Sequence, residues 1–373
     1  MKRSILILVM LIHNFFINAQ TDCLPVIKLK SIYAGNHNFR QLIDSMFLNV
    51  QPLPDGSQNF WDGKNINSLY TFLNEWFFRL PTQTNGLEDI LKFSELYYHN
   101  SYGLRFVNEE PGLDWTLYFV KEQGKFMDSP QSAGSIPLWL SDSTLHNNEY
   151  VIPAKGYQSF NQFFTRDLKP GMRPVARAGD ESVIVSPVDG TIVSLDVDLK
   201  PDSALPIKGR TKLSLGQLLG NSGFAPHFIG GSALSILLLP RNYHHFHAPV
   251  SGQLVESNSD VGSILFGSQI ADFFMTGKTD FSVFENYKHG YFIFKTKQYG
   301  YIALIPVGLE TVGSVVFEDR VKNIDNKKTV MVAKGEKLGH FAYGGSMVLL
   351  LFEKNRMTSL TVQQGQQIGV LNP

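Results

Sequence analysis

Cysteine is nearly absent: Cys23 is the only one in 373 residues, so no intrachain disulfide can form. The residues before it, Gln20, Thr21 and Asp22, are too polar for a lipid-attachment box, so the thiol reads as incidental. Charge of one sign is also lacking. Lys plus Arg and Asp plus Glu number 33 each, which leaves no basic excess for nucleic acid and no acidic tail. Tryptophan is missing from the second half, since Trp61, Trp76, Trp115 and Trp139 all precede residue 150. That shift in composition marks a domain difference, and the length suits two domains with a core each.

A long apolar run is lacking too. The opening MKRSILILVMLIHNFFINAQ has a basic start at Lys2 and Arg3 and an apolar stretch from Ile5 to Ile12. His13 and Asn14 break that stretch before it could span a bilayer comfortably. With small Ala19 ahead of Gln20, the pattern is that of a signal peptide over 1–19, and predicts an exported protein.

From Asn67, the positions Leu69, Phe72, Leu73, Trp76, Phe77 and Leu80 repeat at helical spacing, and Pro81 ends the pattern. A second helix is predicted after Asn85, with Glu88 and Asp89 in its first turn and Leu87, Ile90 and Leu91 inward. More helix is predicted near Tyr118 to Phe126. The region 20–150 therefore reads as a helical N-terminal domain whose Trp and Phe stripe is core. A short helix, Tyr157 to Phe164, follows with its aromatic residues on one side.

Beyond TRDLKPGMRP the texture changes to short β-rich runs between Gly, Pro and Asp. Strands are predicted at Val183–Val185, Thr191–Leu195, Leu234–Leu239, Tyr291–Lys295, Tyr301–Ile305, Val315–Phe317, Lys328–Val332 and Val348–Phe352. SPVDGTI (186–192) echoes APVSGQL (248–254), and KGEKLG (334–339) echoes QGQQIG (364–369). The expected fold class is α+β: a helical N-terminal domain, then a β-rich catalytic domain over 151–373. The echoes suggest that the latter is a flattened barrel or sandwich of two similar halves.

The segment FAYGGSMV, 341–348, places Gly-Gly-Ser just ahead of a buried apolar run. The two glycines leave the Gly345 carbonyl open to close approach. Ser346 Oγ can reach that carbonyl, giving an ester. Elimination from the ester cuts the chain and leaves a dehydroalanine that hydrolyses to a pyruvoyl group. A bare Gly-Gly-Ser is otherwise only a turn.

RNYHHFHAPVSG, 241–252, supplies His244, His245 and His247, and SPVDG supplies Asp189. If the histidine segment is extended, His244 and His247 point to opposite sides and can serve different steps. A metal site would need further ligands at recognisable spacing, and His227 and His340 do not provide it, so no metal is expected. A serine hydrolase lacks its G-x-S-x-G elbow around Ser346. A biotin or lipoyl carrier would need an exposed Lys at a turn that holds Asp189 or Ser251 instead. An uncut serine hydrolase and a non-catalytic binding module remain the rival classes.

FFTRDLKPGMRP, SPVDGTI, RNYHHFHAPVSG, PVGLETVGSV (306–315) and FAYGGSMVLLLF resemble, in order, the blocks of the pyruvoyl-dependent phosphatidylserine decarboxylases over about residues 155 to 373. The resemblance implies self-cleavage between Gly345 and Ser346, with Ser346 becoming the pyruvoyl cofactor. It implies that Asp189 and His247 act with Ser346 in that cut and that His244 acts in decarboxylation. Met347, Asn242, His245 and Leu309 depart from residues common in the family, and none removes a reacting group. The Trp-rich region before residue 150 resembles an extension on a branch that includes decarboxylases of free aromatic amino acids.

The implied reaction condenses the pyruvoyl carbonyl with a substrate amine as a Schiff base, which withdraws electrons from the bond to the carboxylate. A histidine titrating near neutrality suits protonation of the resulting carbon. The large and small chains should stay associated, because a buried strand carries the new cofactor. Peripheral membrane contact stays open. The lack of a basic cluster or apolar anchor favours a free amino acid, aromatic ones included, over phosphatidylserine.

Overall fold

The computed structural model describes residues 22–82, 85, 88–200, 215–267, 287–309, 315–325, 327–357 and 359–360. The expected signal peptide, Leu87 and the QGQQIG echo lie outside the described residues.

The first part is helical: α1 (Leu24–Gly35), α2 (His37–Leu48), α3 (Ile66–Phe78), α4 (Glu88–Glu95), α5 (Ser101–Asn108), α6 (Gly112–Asp128) and α7 (Ile136–Leu140). The α3 helix starts where the Asn65 side chain accepts from the Asn67 and Ser68 amides at 2.9 and 3.4 Å. It buries Ile66, Leu69, Tyr70, Phe72, Leu73, Trp76 and Phe77, the predicted stripe. In α4 the inward residues are Ile90 and Phe93, while Leu91 is only half-buried, because Phe93 lies one turn on from Ile90 on the same face. The α6 helix extends beyond the predicted span in both directions. Gly112 at its start lets α5 approach closely, since a Cβ there would fall 1.8 Å from the Phe106 carbonyl oxygen.

All four tryptophans are core residues. Their indole N–H groups keep hydrogen bonds where they are buried: Trp115 donates to the Pro25 carbonyl and Trp139 to the Pro81 carbonyl, both at 2.8 Å.

A short helix, α8 (Phe160–Phe164), leads into the β-rich part. It is shorter than the predicted one because Ser159 caps it, accepting from the Gln162 amide at 3.2 Å. Tyr157 lies before the helix but packs with Phe160, Phe163, Phe164, Trp139 and Tyr343.

Ten strands follow among the described residues: β1 (Thr191–Val197), β2 (Ser232–Leu238), β3 (His245–His247), β4 (Gly252–Val261), β5 (His289–Lys295), β6 (Tyr301–Leu309), β7 (Val315–Phe317), β8 (Val330–Val332), β9 (Lys337–Phe341) and β10 (Gly345–Phe352). A single-turn helix, α9 (Leu215–Leu218), lies between β1 and β2. The strands form a seven-stranded sheet ordered β1-β2-β10-β6-β5-β4-β8 and a three-stranded sheet ordered β3-β9-β7. Pairing is antiparallel throughout both, and neither sheet closes into a barrel. The mixed α+β class stands, with the β-rich part a pair of packed sheets.

The echoed segments have equivalent places. SPVDG leads into β1, which pairs with β2; APVSG leads into β4, which pairs with β5. The order β1-β2-β10 on one side of the sheet is matched by β4-β5-β6 on the other.

Val183–Val185 is not a strand. Val185 makes one backbone bond, to the Pro249 carbonyl at 3.1 Å, and Pro187 beside it cannot donate to a ladder. Strands β3, β4 and β9 were not predicted, because their His, Gly and polar residues interrupt the apolar pattern.

The β10 strand is central and covered on both faces, which accounts for its unbroken apolar run. Val348, Leu350 and Phe352 pack between the sheets with Phe246, Phe292 and Phe341. Met347, Leu349 and Leu351 pack on the other face with Ile293, Ile305 and the α9 residues Leu215 and Leu218.

Candidate active site

Ser346 does not sit in a turn before the strand; it is the second residue of β10 itself. It pairs with Leu238 of β2 on one side and Gly308 of β6 on the other. Two hydrogen-bonded neighbours therefore fix the peptide between Gly345 and Ser346. The turn is the short link of Ala342, Tyr343 and Gly344 between β9 and β10. Gly344 has φ +146°, a backbone conformation that disfavours a side chain.

Strand alternation puts Ser346 on the face of Val348, Leu350 and Phe352, toward the three-stranded sheet. Its Oγ is fully buried and has no hydrogen-bond partner among the described residues. An unpaired buried hydroxyl costs roughly 1–3 kcal/mol, so its retention asks for an explanation.

His244 extends β3 by one residue, its carbonyl accepting from the Phe341 amide at 2.9 Å. Alternation puts it on the same side of its strand as Phe246, which packs between the sheets. Its ring is fully buried and stacks on Phe164 at 3.7 Å between centroids, and among the described residues neither nitrogen makes a well-formed hydrogen bond, though the Asn242 backbone lies close enough to raise its pKa. Burial holds its pKa well below the ordinary range, and the nearby Arg166 guanidinium adds to this. The imidazole is therefore neutral at pH 7.

His247 faces the opposite way, as an extended chain requires. Tyr243, His245 and His247 share that outer side, with Tyr243 and His245 stacked at 4.8 Å and Tyr243 and His247 at 5.7 Å. Both nitrogens of His247 are engaged. Nδ1 donates to the Gly335 carbonyl at 2.8 Å, and the Tyr243 hydroxyl donates to Nε2 at 3.1 Å. Burial pushes the Tyr243 phenol pKa up, which keeps that proton in place, and burial also lowers the His247 pKa.

Asp189 is held by Arg173, whose Nη2 donates to it at 3.0 Å and whose Nε donates at 3.2 and 3.3 Å. Arg173 also pairs with Glu149. Asp189 is close enough to raise the His247 pKa against the effect of burial, yet no hydrogen bond joins the two among the described residues. The structure thus places Asp189 within electrostatic reach of His247 on the outer side, while Ser346 and His244 are both buried and lie on strands of different sheets.

Sequence reasoning passed over Phe164, Arg166, Arg173 and Tyr343. The first three lie in FFTRDLKPGMRP, where the signal was a charged pair among aromatic and turn residues. Arg166 is buried, with its guanidinium over the Tyr150 ring at 4.2 Å and over Phe163 at 4.7 Å.

A cavity of about 940 Å³ opens beside this site. Leu117 and Lys121 of α6, Asn161 and Thr165, and His340 with Ala342 and Tyr343 of the link before β10 line it. The helical part thus lines the cavity as well as packing on the sheets.

A buried serine that follows two glycines in a β-rich core, with no hydrogen-bond partner among the described residues, is the kind of group that can react with its own backbone. The phosphatidylserine decarboxylase family model matches residues 160–370. The chain is 33% identical over 234 residues to the phosphatidylserine decarboxylase proenzyme of Fusobacterium nucleatum, covering 63% of this chain and 73% of that protein. It is 32% identical over 240 residues to the proenzyme of Clostridium novyi, covering 64% and 76%. Against phosphatidylserine decarboxylase proenzyme 2 of Oryza sativa the identity is 32% over 237 residues, 63% of this chain but 36% of that longer protein. The chain belongs to the phosphatidylserine decarboxylase family. It is a carboxy-lyase, and its cofactor is a pyruvoyl group made by self-cleavage at an internal serine.

Proposed function

We propose that Ser346 is that serine and that the cut chain decarboxylates phosphatidylserine. The observation that carries the first part is the fully buried Ser346 Oγ, which has no hydrogen-bond partner among the described residues and follows two glycines at the start of a central strand. In the cut, Ser346 Oγ bonds to the Gly345 carbonyl carbon, the C–N bond breaks, and the hydroxyl proton passes to the freed nitrogen. A base then takes the Cα proton of the former serine, the Cβ–Oγ bond breaks, and Gly345 departs as a carboxylic acid. The dehydroalanine left behind tautomerises to an imine. Water hydrolyses the imine to the pyruvoyl group and ammonia.

Asp189 and His247 are assigned to this maturation and His244 to turnover. The assignment of His244 to turnover is supported by a buried, neutral ring whose nitrogens make no well-formed hydrogen bond among the described residues, so that it can bind or move a proton. For His247 to act as a base, the Tyr243 hydroxyl must first leave Nε2. The pyruvoyl carbonyl supplies the electron-withdrawing centre for an amine-bearing substrate.

Phosphatidylserine is favoured by the names of the relatives. A free amino acid is the second reading, favoured by α6, which walls the cavity and limits room for acyl chains. No helix among the described residues is long and apolar enough to cross a membrane. Export by the N-terminal segment belongs to the same proposal.

Intact mass of purified protein should show a large chain ending at Gly345 and a small chain with a blocked start. Ser346→Ala should stay whole and inactive. An uncut wild-type chain that takes a fluorophosphonate on Ser346 would make it a hydrolase instead. Release of CO2 from phosphatidylserine vesicles, and none from free L-amino acids, is the expected outcome with cut protein; the reverse would establish the second reading.

A further inference from the structure

The link that presents the scissile bond is tied to the helical part through one side chain. The Tyr343 amide donates to Asn161 Oδ1 at 2.9 Å, and Asn161 Nδ2 donates to Asp128 Oδ1 at 2.9 Å. Asp128 is the last residue of α6, Asn161 is a buried residue of α8, and Tyr343 lies just before the two glycines. The Tyr343 ring sets the same link from another direction. It meets Phe160 edge-on at 5.2 Å and Phe164 at 5.4 Å, and Phe164 in turn stacks on His244.

These contacts fix the end of the link that the β10 ladder does not. Downstream, Gly345 and Ser346 are held by β2 and β6. Upstream, Phe341 is held by β9 pairing. Between them Gly344 has no side chain, so the approach of Ser346 Oγ to the Gly345 carbonyl depends on where Tyr343 is held. The fork of Asn161 is what fastens the Tyr343 backbone to a helix outside the two sheets.

We propose that Asn161 is a positioning residue for self-cleavage, and that through its bond to Asp128 the docking of α6 licenses the cut. This rests on the reading that Gly345–Ser346 is the cleavage site. Asn161 touches no reacting atom. Its two bonds set the register of Tyr343 and make the helical part a condition for maturation as well as a wall of the cavity.

The test is the rate of cutting of the newly translated full chain, followed by intact mass. Asn161→Leu loses both bonds and should cut at least about tenfold more slowly, since small misplacement of reacting groups costs up to about 100-fold. Asn161→Asp keeps an acceptor for the Tyr343 amide but faces the Asp128 carboxylate with like charge, and should also be slow. Adding Asp128→Asn restores a donor–acceptor pair and should return the rate to within about threefold of wild type, on the size of one recovered hydrogen bond. A purely structural role would lower the urea midpoint of each variant's Ser346→Ala form in step with its cutting rate, whereas a positioning role slows cutting with that midpoint little changed. Cutting at the wild-type rate in either single variant overturns the proposal, as does a double variant no faster than Asn161→Asp. If Asn161→Leu fails to fold, as read by circular dichroism of its Ser346→Ala form, the Asp pair decides alone. An uncut wild-type chain would remove the self-cleavage reading and this proposal with it, whereas normal cutting in every variant removes only this proposal.

Discussion

Lowering the pH from about 7.5 to about 5 should destabilise the folded chain, with His245 contributing about 2 kcal/mol of the loss. The His245 ring is buried against Tyr243 and near His340, and its Nε2 donates to the Thr165 carbonyl at 2.9 Å. Burial is the main cause that pushes its pKa down to about 4. Lys337 and His340 push the same way, while the Thr165 carbonyl and Asp167 oppose them. An unfolded histidine takes up its proton near pH 6.5, about 2.5 units higher. Between those values the unfolded chain holds a proton that the folded chain does not. Stability is therefore complete above about pH 6.5 and is lost as the pH falls toward about 4. At about pH 5 the protonation ratio is roughly 30, which is about 2 kcal/mol. His244, His247, His289 and His340 are shifted in the same direction, so the loss for the whole chain is larger. Urea unfolding of the Ser346→Ala chain, which remains one covalent piece, measures this at both pH values. His245→Gln keeps a donor for the Thr165 carbonyl but cannot titrate. It should lose about 2 kcal/mol less than its parent over that interval. An equal loss in the two chains would refute the reasoning.

Three further outcomes are expected. His247→Ala and Asp189→Ala should accumulate uncut precursor on a denaturing gel, whereas His244→Ala should cut and then release CO2 poorly; a His244→Ala chain that stays uncut would make the inward-facing histidine the maturation base. Trp139→Ala should lower stability by about 3–5 kcal/mol, because the ring is buried and its N–H holds the Pro81 carbonyl, and the urea midpoint reads this directly. Protein expressed in a bacterial host should begin at Gln20 by N-terminal sequencing, and a start at Met1 or Lys2 would overturn the export proposal.

Much of this molecule was legible because its signals are local. The α3 stripe could be read from spacing, since a helix with a buried face must repeat near every 3.6 residues. The apolar run of β10 announced a strand covered on both faces. Ordered blocks around Asp189, His244, His247 and Ser346 carried the family. Opposite facing of His244 and His247 followed from the geometry of any extended chain.

Other features depend on which segments meet, and no local pattern encodes that. Strands β3, β4 and β9 carry polar residues and glycines, and exist because partner strands satisfy their backbone groups. That Ser346 lies within the strand, and not in the turn before it, was decided by Leu238 and Gly308 on either side. The capture of Asp189 by Arg173, and of His247 by Tyr243 and Gly335, follows from loop placement. The bond from Asp128 through Asn161 to Tyr343 joins residues far apart in the chain. The sequence by itself determined the family and the opposite facing of His244 and His247, because ordered blocks and strand period are properties of short segments. Only the tertiary structure decided what buries Ser346 and what holds the link before it, because those depend on packing between sheets and helices.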